Sequence, residues 1–494
     1  MNCKASNLKK WIAKAATLAL LCACTHANVL WAQNSPERVN DINQLSSPQG
    51  SSPQQFTVVG NTTFFTAHTS TSGTELWKTD GTPTGTLLVK EIRIGSDGAL
   101  ISSLTNVNGT LFFTAYTNTA ARELWKSDGT ESGTILVKDI NPEGDGGFPQ
   151  QLTNVNGTLF FSANNGTNGY ELWRSDGTEA GTTLVKDINT GGKSSALLSL
   201  TNVNGTLFFS ANNGTNGAEL WTSDGTEAGT TLVKDIYSGS ASSAPDNLTN
   251  ISGTLFFKAY TNANGYELWK SDGTNAGTTL VKDINPGNHS SAPNYLTNVN
   301  GTLFFSAYNT TNGNELWTSD GTEAGTTLFK DIVPGAGGSE LAYLTNVNGT
   351  LFFSANTSTR GYELWKSDGT AAGTTQLKAI GPINDDSYPV YLTKVNGTLF
   401  FVGNNGTSGY ELWKSDGTEA GTTLVKDIYT GGNSSFPYSL TNANGTLFFS
   451  ANNGTNGVEL WKSDGTEAGT TLVKDIAPTE TITNLADLIN DNGS

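Results

Sequence analysis

The chain has 494 residues, with 27 basic against 44 acidic side chains and a formal net charge of −17. An acidic surface of this kind repels nucleic acid and anionic membranes, which sets those partners aside. All three cysteines, Cys3, Cys22 and Cys24, fall in the first 24 residues; past them there is no disulfide framework, thiolate metal site or cysteine nucleophile.

In chain order, residues 1–32 read as a signal peptide. Lys4, Lys9, Lys10 and Lys14 give a basic start, an apolar run follows from Ala15, and small residues near Ala27 and Ala32 suit a signal peptidase. Leu21-Cys22-Ala23-Cys24 resembles a lipoprotein cleavage box, which would make Cys24 a lipid anchor. The expected location is therefore secreted or cell surface, with no transmembrane segment. The N-terminal segment 33–52 contains Arg38-Val39-Asn40-Asp41-Ile42-Asn43, a stray copy of a later strand and a candidate closing strand.

Residues 53–476 are nine repeats. Trp77, Trp125, Trp173, Trp221, Trp269, Trp317, Trp365, Trp413 and Trp461 follow one another at a constant 48 residues, each in Glu-Leu-Trp. A period of this length means one supersecondary unit per repeat, stacked to bury what a single unit cannot. In the third repeat a β-rich run, Leu152–Val155, meets Asn156-Gly157, the strongest short hairpin signal. Thr158–Ala163 follows, then an Asn/Gly loop, the run Tyr170–Ser175 with the Trp, the turn Asp176-Gly177-Thr178, and a last run Thr182–Ile188. The second run is apolar at consecutive positions, Phe160-Phe161, as a strand covered on both faces should be. Four antiparallel strands repeated radially predict an all-β fold, a β-propeller of nine four-stranded blades. A closed nine-bladed ring is the expectation; an open arc, two rings or a β-solenoid are the alternatives. The tail, 477–494, could cover an edge.

The order of strands resembles a WD40 blade in architecture alone, because beyond the leader the chain has only His68 and His289 and lacks that family's Gly-His signature. The segment Glu171-Leu172-Trp173-Arg174-Ser175-Asp176-Gly177-Thr178-Glu179-Ala180-Gly181-Thr182 is similar, position by position, to the bacterial ELWxxDGT repeat family. That resemblance covers the repeats throughout and implies an exported, propeller-like protein.

The repeats differ from one another in two places: the loop between second and third strands, and the link from one blade to the next. Both should lie on one face, where binding resides. On it Tyr295, Tyr343 and Tyr391 recur at the start of successive inner strands, near the expected central channel. Tyr170, Tyr266, Tyr362 and Tyr410 recur where the other variable loop ends. A tyrosine gives a flat apolar face with a polar tip, suited to carbohydrate or protein. The nine Trp residues are expected to anchor blade cores, and Asp80, Asp128, Asp176, Asp224, Asp272, Asp320, Asp368, Asp416 and Asp464 to accept backbone N–H groups within their own turns. The repeated Glu before Leu-Trp is expected to pair with the Lys of Val-Lys-Asp.

No cofactor is expected. Loops such as Asn164–Glu171 resemble integrin-type calcium loops in their Asn/Gly spacing, which keeps calcium a candidate, although no Asp is present to supply a carboxylate. Without a His-containing triad, metal cluster or phosphate loop, no enzymatic activity is expected; the nearest irregularity is Asp385-Asp386 in the seventh repeat. The functional expectation is an exported, non-enzymatic scaffold for extracellular binding or adhesion to a protein or glycan through the variable face. A lectin with a tyrosine belt, or a structural component of an extracellular layer, are the alternatives.

Overall fold

The computed structural model describes residues 50–119, 121–357, 359–382 and 387–478. The signal peptide, Cys24, the candidate closing strand 38–43, Asp385-Asp386 and the tail from 479 lie outside them. Each repeat forms its own four-stranded antiparallel sheet with strands in sequence order, giving nine blades in a ring and no helix among the described residues.

The third blade shows why. Gln150–Val155, Thr158–Asn164, Tyr170–Ser175 and Thr183–Lys186 run from the channel outward. Val155 pairs with Thr158 across a two-residue turn in which Asn156 (φ 50°) and Gly157 (φ 84°) both take the left-handed conformation. The Phe pair is divided between two blade interfaces. Phe161 packs against Val107, Phe112 and Leu124 of the preceding blade, whereas Phe160 faces Leu207, Phe209 and Trp221 of the following one. Burying a Phe contributes about 1.5–3 kcal/mol. The pair therefore stitches the ring in both directions from one strand.

The same contacts close the ring. Phe65 and Ala67 of the first blade pack on Phe448, Leu460 and Val473 of the ninth. Ser52 N donates to Val458 O (2.9 Å), and Ser51 donates to Glu459 from its N (2.8 Å) and its Oγ (2.6 Å). The ninth blade keeps its own outer strand, Thr471–Lys474, so each terminal blade is built from contiguous chain and the seam holds by non-covalent contact.

Candidate functional site

The constant residues form the frame. Asp176 Oδ1 accepts from Thr178 N (2.8 Å) and Thr178 Oγ1 (2.7 Å), and those two bonds hold its carboxyl below the ordinary range. A Cβ on Gly181 would sit 2.1 Å from that carboxylate, and one on Gly177 (φ 90°) would sit 3.0 Å from Phe112 of the preceding blade. The Asp-Gly-Thr-x-x-Gly-Thr segment is thus accounted for by its own turn. The same Asp-to-Thr bonds recur at Asp80, Asp128, Asp224, Asp272, Asp320, Asp368, Asp416 and Asp464. Seven Trp rings are buried, and Trp77 and Trp365 are partly so; among the described residues no Trp indole N–H has a hydrogen-bond partner. The rings therefore sit by packing, as where Phe401 and Trp413 stack at 6.4 Å.

The Glu before Leu-Trp does not pair with the Lys of Val-Lys-Asp. Glu267, wholly buried, accepts from Ile284 N (3.0 Å), Ser291 N (2.9 Å) and Ser291 Oγ (2.5 Å), tying the third strand to the end of the outer strand and to the link into the next blade. The Lys instead spans the interface, as Lys282 Nζ donates to Thr326 O (2.8 Å). Chain geometry explains the difference: the Glu side chain points into the space between strand ends, where backbone N–H groups lack partners. Burial raises the carboxyl to about 7 at Glu75, Glu123, Glu171 and Glu267, against the lowering effect of those donors.

The frame has a feature that sequence patterning does not reveal. The inner strand of every blade carries a β-bulge, and its second residue takes φ between 54° and 60° in all nine. A bulge re-aims one side chain away from the ladder. Gln55, Gln151, Ser199 and Asn247 use that direction to hydrogen-bond the neighbouring blade, Gln151 Nε2 reaching Leu197 O at 2.6 Å. Blades six to eight place Tyr295, Tyr343 and Tyr391 there. These tyrosines remain 40 %, 38 % and 47 % exposed. Successive ring centroids lie 6.5 and 6.3 Å apart, tilted by 36° and 63°.

Two cavities flank this arc. One, of about 370 Å³, lies between blades six and seven and is lined by Tyr295, Tyr343, Tyr362, Tyr388 and Glu340. Tyr362 Oη donates to Glu340 Oε2 at 2.6 Å, and burial together with that carboxylate raises the Tyr362 phenol well above its ordinary value. The other, of about 470 Å³, lies among Tyr343, Tyr391, Tyr438 and the inner-strand residues Leu344, Leu392 and Leu440. The remaining tyrosines do not join the arc. Tyr266 packs on Tyr260 (5.1 Å), Tyr410 stacks on Phe436 (5.5 Å), and Tyr170 sits half-buried in blade three.

Among the described residues no group of three or more His, Cys, Asp or Glu side chains is placed to hold a metal ion. In the loop that resembles a calcium site, Asn165 Oδ1 already accepts from Thr167 N and Asn168 N (3.0 and 2.9 Å). Among the described residues no helix is long and apolar enough to cross a membrane.

No family profile matches the sequence, and no curated protein is similar to it. Solved structures do resemble the fold. Puromycin hydrolase is 14 % identical over 72 % of this chain and 59 % of its own, with a TM-score of 0.38. A prolyl endopeptidase is 12 % identical over 74 % and 54 %, with a TM-score of 0.41. The β-propeller domain of the Trilobed protease from Pyrococcus furiosus, described as having an open velcro topology, is 12 % identical over 67 % and 97 %, with a TM-score of 0.35. The chain thus spans less than two thirds of the first two. The expectation of a non-enzymatic adhesion scaffold, with a lectin or a layer component as its alternatives, is corrected at this point: these resembling structures are hydrolases and a protease domain. The likeness is one of fold and assigns this chain no catalytic residues.

Proposed function

We propose that this chain is a peptide-recognition propeller whose working surface is one sector, blades six to eight, with the other blades as rigid support. The observation that carries the reading is the bulge position. It bridges blades at Gln55, Gln151, Ser199 and Asn247, and it turns three consecutive aromatic rings outward where it is Tyr. The rings are mutually tilted and in contact, with cavities on both sides. An extended peptide, whose side chains alternate along its length, can place side chains in the two cavities while its backbone crosses the rings. In this reading the sector binds a polypeptide in extended form.

The test is selection of binders from a random decapeptide library on the intact protein, repeated with Tyr343→Asn. Asn tolerates the left-handed backbone better than Tyr does, so the variant should keep its thermal stability within about 1 kcal/mol. Affinity should drop about tenfold, the value of one lost aromatic anchor of roughly 1.4 kcal/mol. Peptides that bind both proteins equally would refute the reading.

A further inference from the structure

Internal repetition makes the chain its own control for what fills the space beside a tyrosine at the start of a third strand. In blade five that space holds a lysine. Lys258 Nζ lies 5.7 Å from the centre of the Tyr266 ring and 3.1 Å from Asp246 Oδ2. In blade two the arrangement is exchanged: Arg122 stands where blade five has Tyr266, and its guanidinium lies 5.6 Å from the centre of the Tyr116 ring, at the end of the second strand, and donates to Leu100 O (3.1 Å) and to Ser102 Oγ. Two blades therefore seat a cation of their own against an aromatic face, with oxygen acceptors beside it. A cation held in this way is attracted by the ring quadrupole, most strongly where water is excluded.

Two repeats after blade five, Tyr266 corresponds to Tyr362 and Lys258 to Ser354. Blade seven keeps the ring and, like blade three with Tyr170 and Ser162, has no lysine beside it. It adds aromatic walls, Tyr295, Tyr343 and Tyr388, and a carboxylate, Glu340, in the link from blade six. Among the described residues Glu340 has no ion pair; its contact is the Tyr362 hydroxyl. An exposed carboxylate on the wall of a cavity of four phenol rings, beside the position where blade five holds a lysine, is a receptacle for a cation.

We infer that the cavity between blades six and seven binds an organic cation, the ammonium of a lysine side chain or of a peptide amino terminus, with Glu340 as counter-ion and Tyr343, Tyr362 and Tyr388 as the cage. This rests on the peptide reading above and names the feature that such a peptide carries. The tyrosine arc holds the neighbouring residues, and the cavity selects the charged one.

The experiment measures binding of fluorescent Ala/Tyr decapeptides to the full chain by anisotropy. The peptides carry one central Lys or Gln, and each is made with a free or an acetylated amino terminus. N-acetyl-lysine methylamide, titrated by calorimetry, serves as the small probe. The acetylated Lys peptide should bind about tenfold tighter than its Gln twin, a preference weakened by salt. Glu340→Gln should erase that preference. Ser354→Lys, which restores the blade-five arrangement, should also erase it by filling the cavity from within, and thermal unfolding checks that both variants fold. If only free amino termini show the preference, the cation is the terminus and not a side chain. Equal binding of all peptides, unchanged by Glu340→Gln, overturns the cation site and leaves the peptide reading standing. Binding of the small amine alone, lost in Glu340→Gln, keeps the site and overturns the peptide reading. Binding of no probe overturns both.

Discussion

At the scale of single residues, the buried Glu of each repeat has the clearest physical consequence. Its folded carboxyl is raised, to about 7 at Glu75, Glu123, Glu171 and Glu267, because burial penalises the charge. Unfolded, the same groups titrate near 4.3. Between these values the folded state binds more protons than the unfolded one, so stability falls as pH rises. The turn aspartates act in another window: their folded carboxyls are lowered, so their contribution is lost only as pH falls below the ordinary carboxylate range. The melting temperature should therefore be higher at pH 5 than at pH 8, by several degrees. A melting temperature that rises steadily over that interval would show that the carboxylates are ionised at no cost. Sequence reasoning found these Glu residues through their repetition. It assigned the wrong partner because the donors are backbone N–H groups, which no side-chain pattern displays.

At the scale of elements, the blade was largely legible. Asn-Gly hairpins, consecutive Phe residues and the Asp-Gly-Thr turn each carry a local cause that survives in the structure: left-handed backbone, two-sided burial and an Asp-capped loop. The inner-strand bulge was not legible. Its second residue is Gln, Ser, Asn or Tyr in different blades, and only the shifted register, with Gln150 opposite Ser162 but Thr153 opposite Phe160, exposes it. Tyr295, Tyr343 and Tyr391 could be picked out by spacing, yet why they turn outward together needed the backbone. The turn offers a direct check. Gly181→Ala places a methyl group 2.1 Å from a carboxylate that two hydrogen bonds fix in place. It should cost about 1–3 kcal/mol, seen as a lower unfolding midpoint with an unchanged circular dichroism spectrum. An unaltered midpoint would mean that the Asp turn is dispensable.

At the scale of the whole molecule, nine near-identical blades give a closed ring whose seam repeats the contacts of every other interface. Lys462 Nζ donates to Gly81 O at 2.8 Å, as Lys78 Nζ does to Gly129 O. Ring closure follows from repetition, because each blade presents the same two faces and the ninth meets the first as any neighbour would. The proposed function, in contrast, rests on departures from repetition: three tyrosines in adjacent blades and Glu340 in the link between two of them. The measurement that tests this most directly is amide hydrogen exchange across the chain, with and without the selected lysine peptide. Added protection should concentrate at 292–306, 340–354 and 388–392, in blades six to eight. Protection spread evenly over all nine blades, or confined to blades one to five, would contradict the claim that one sector of the ring carries its function.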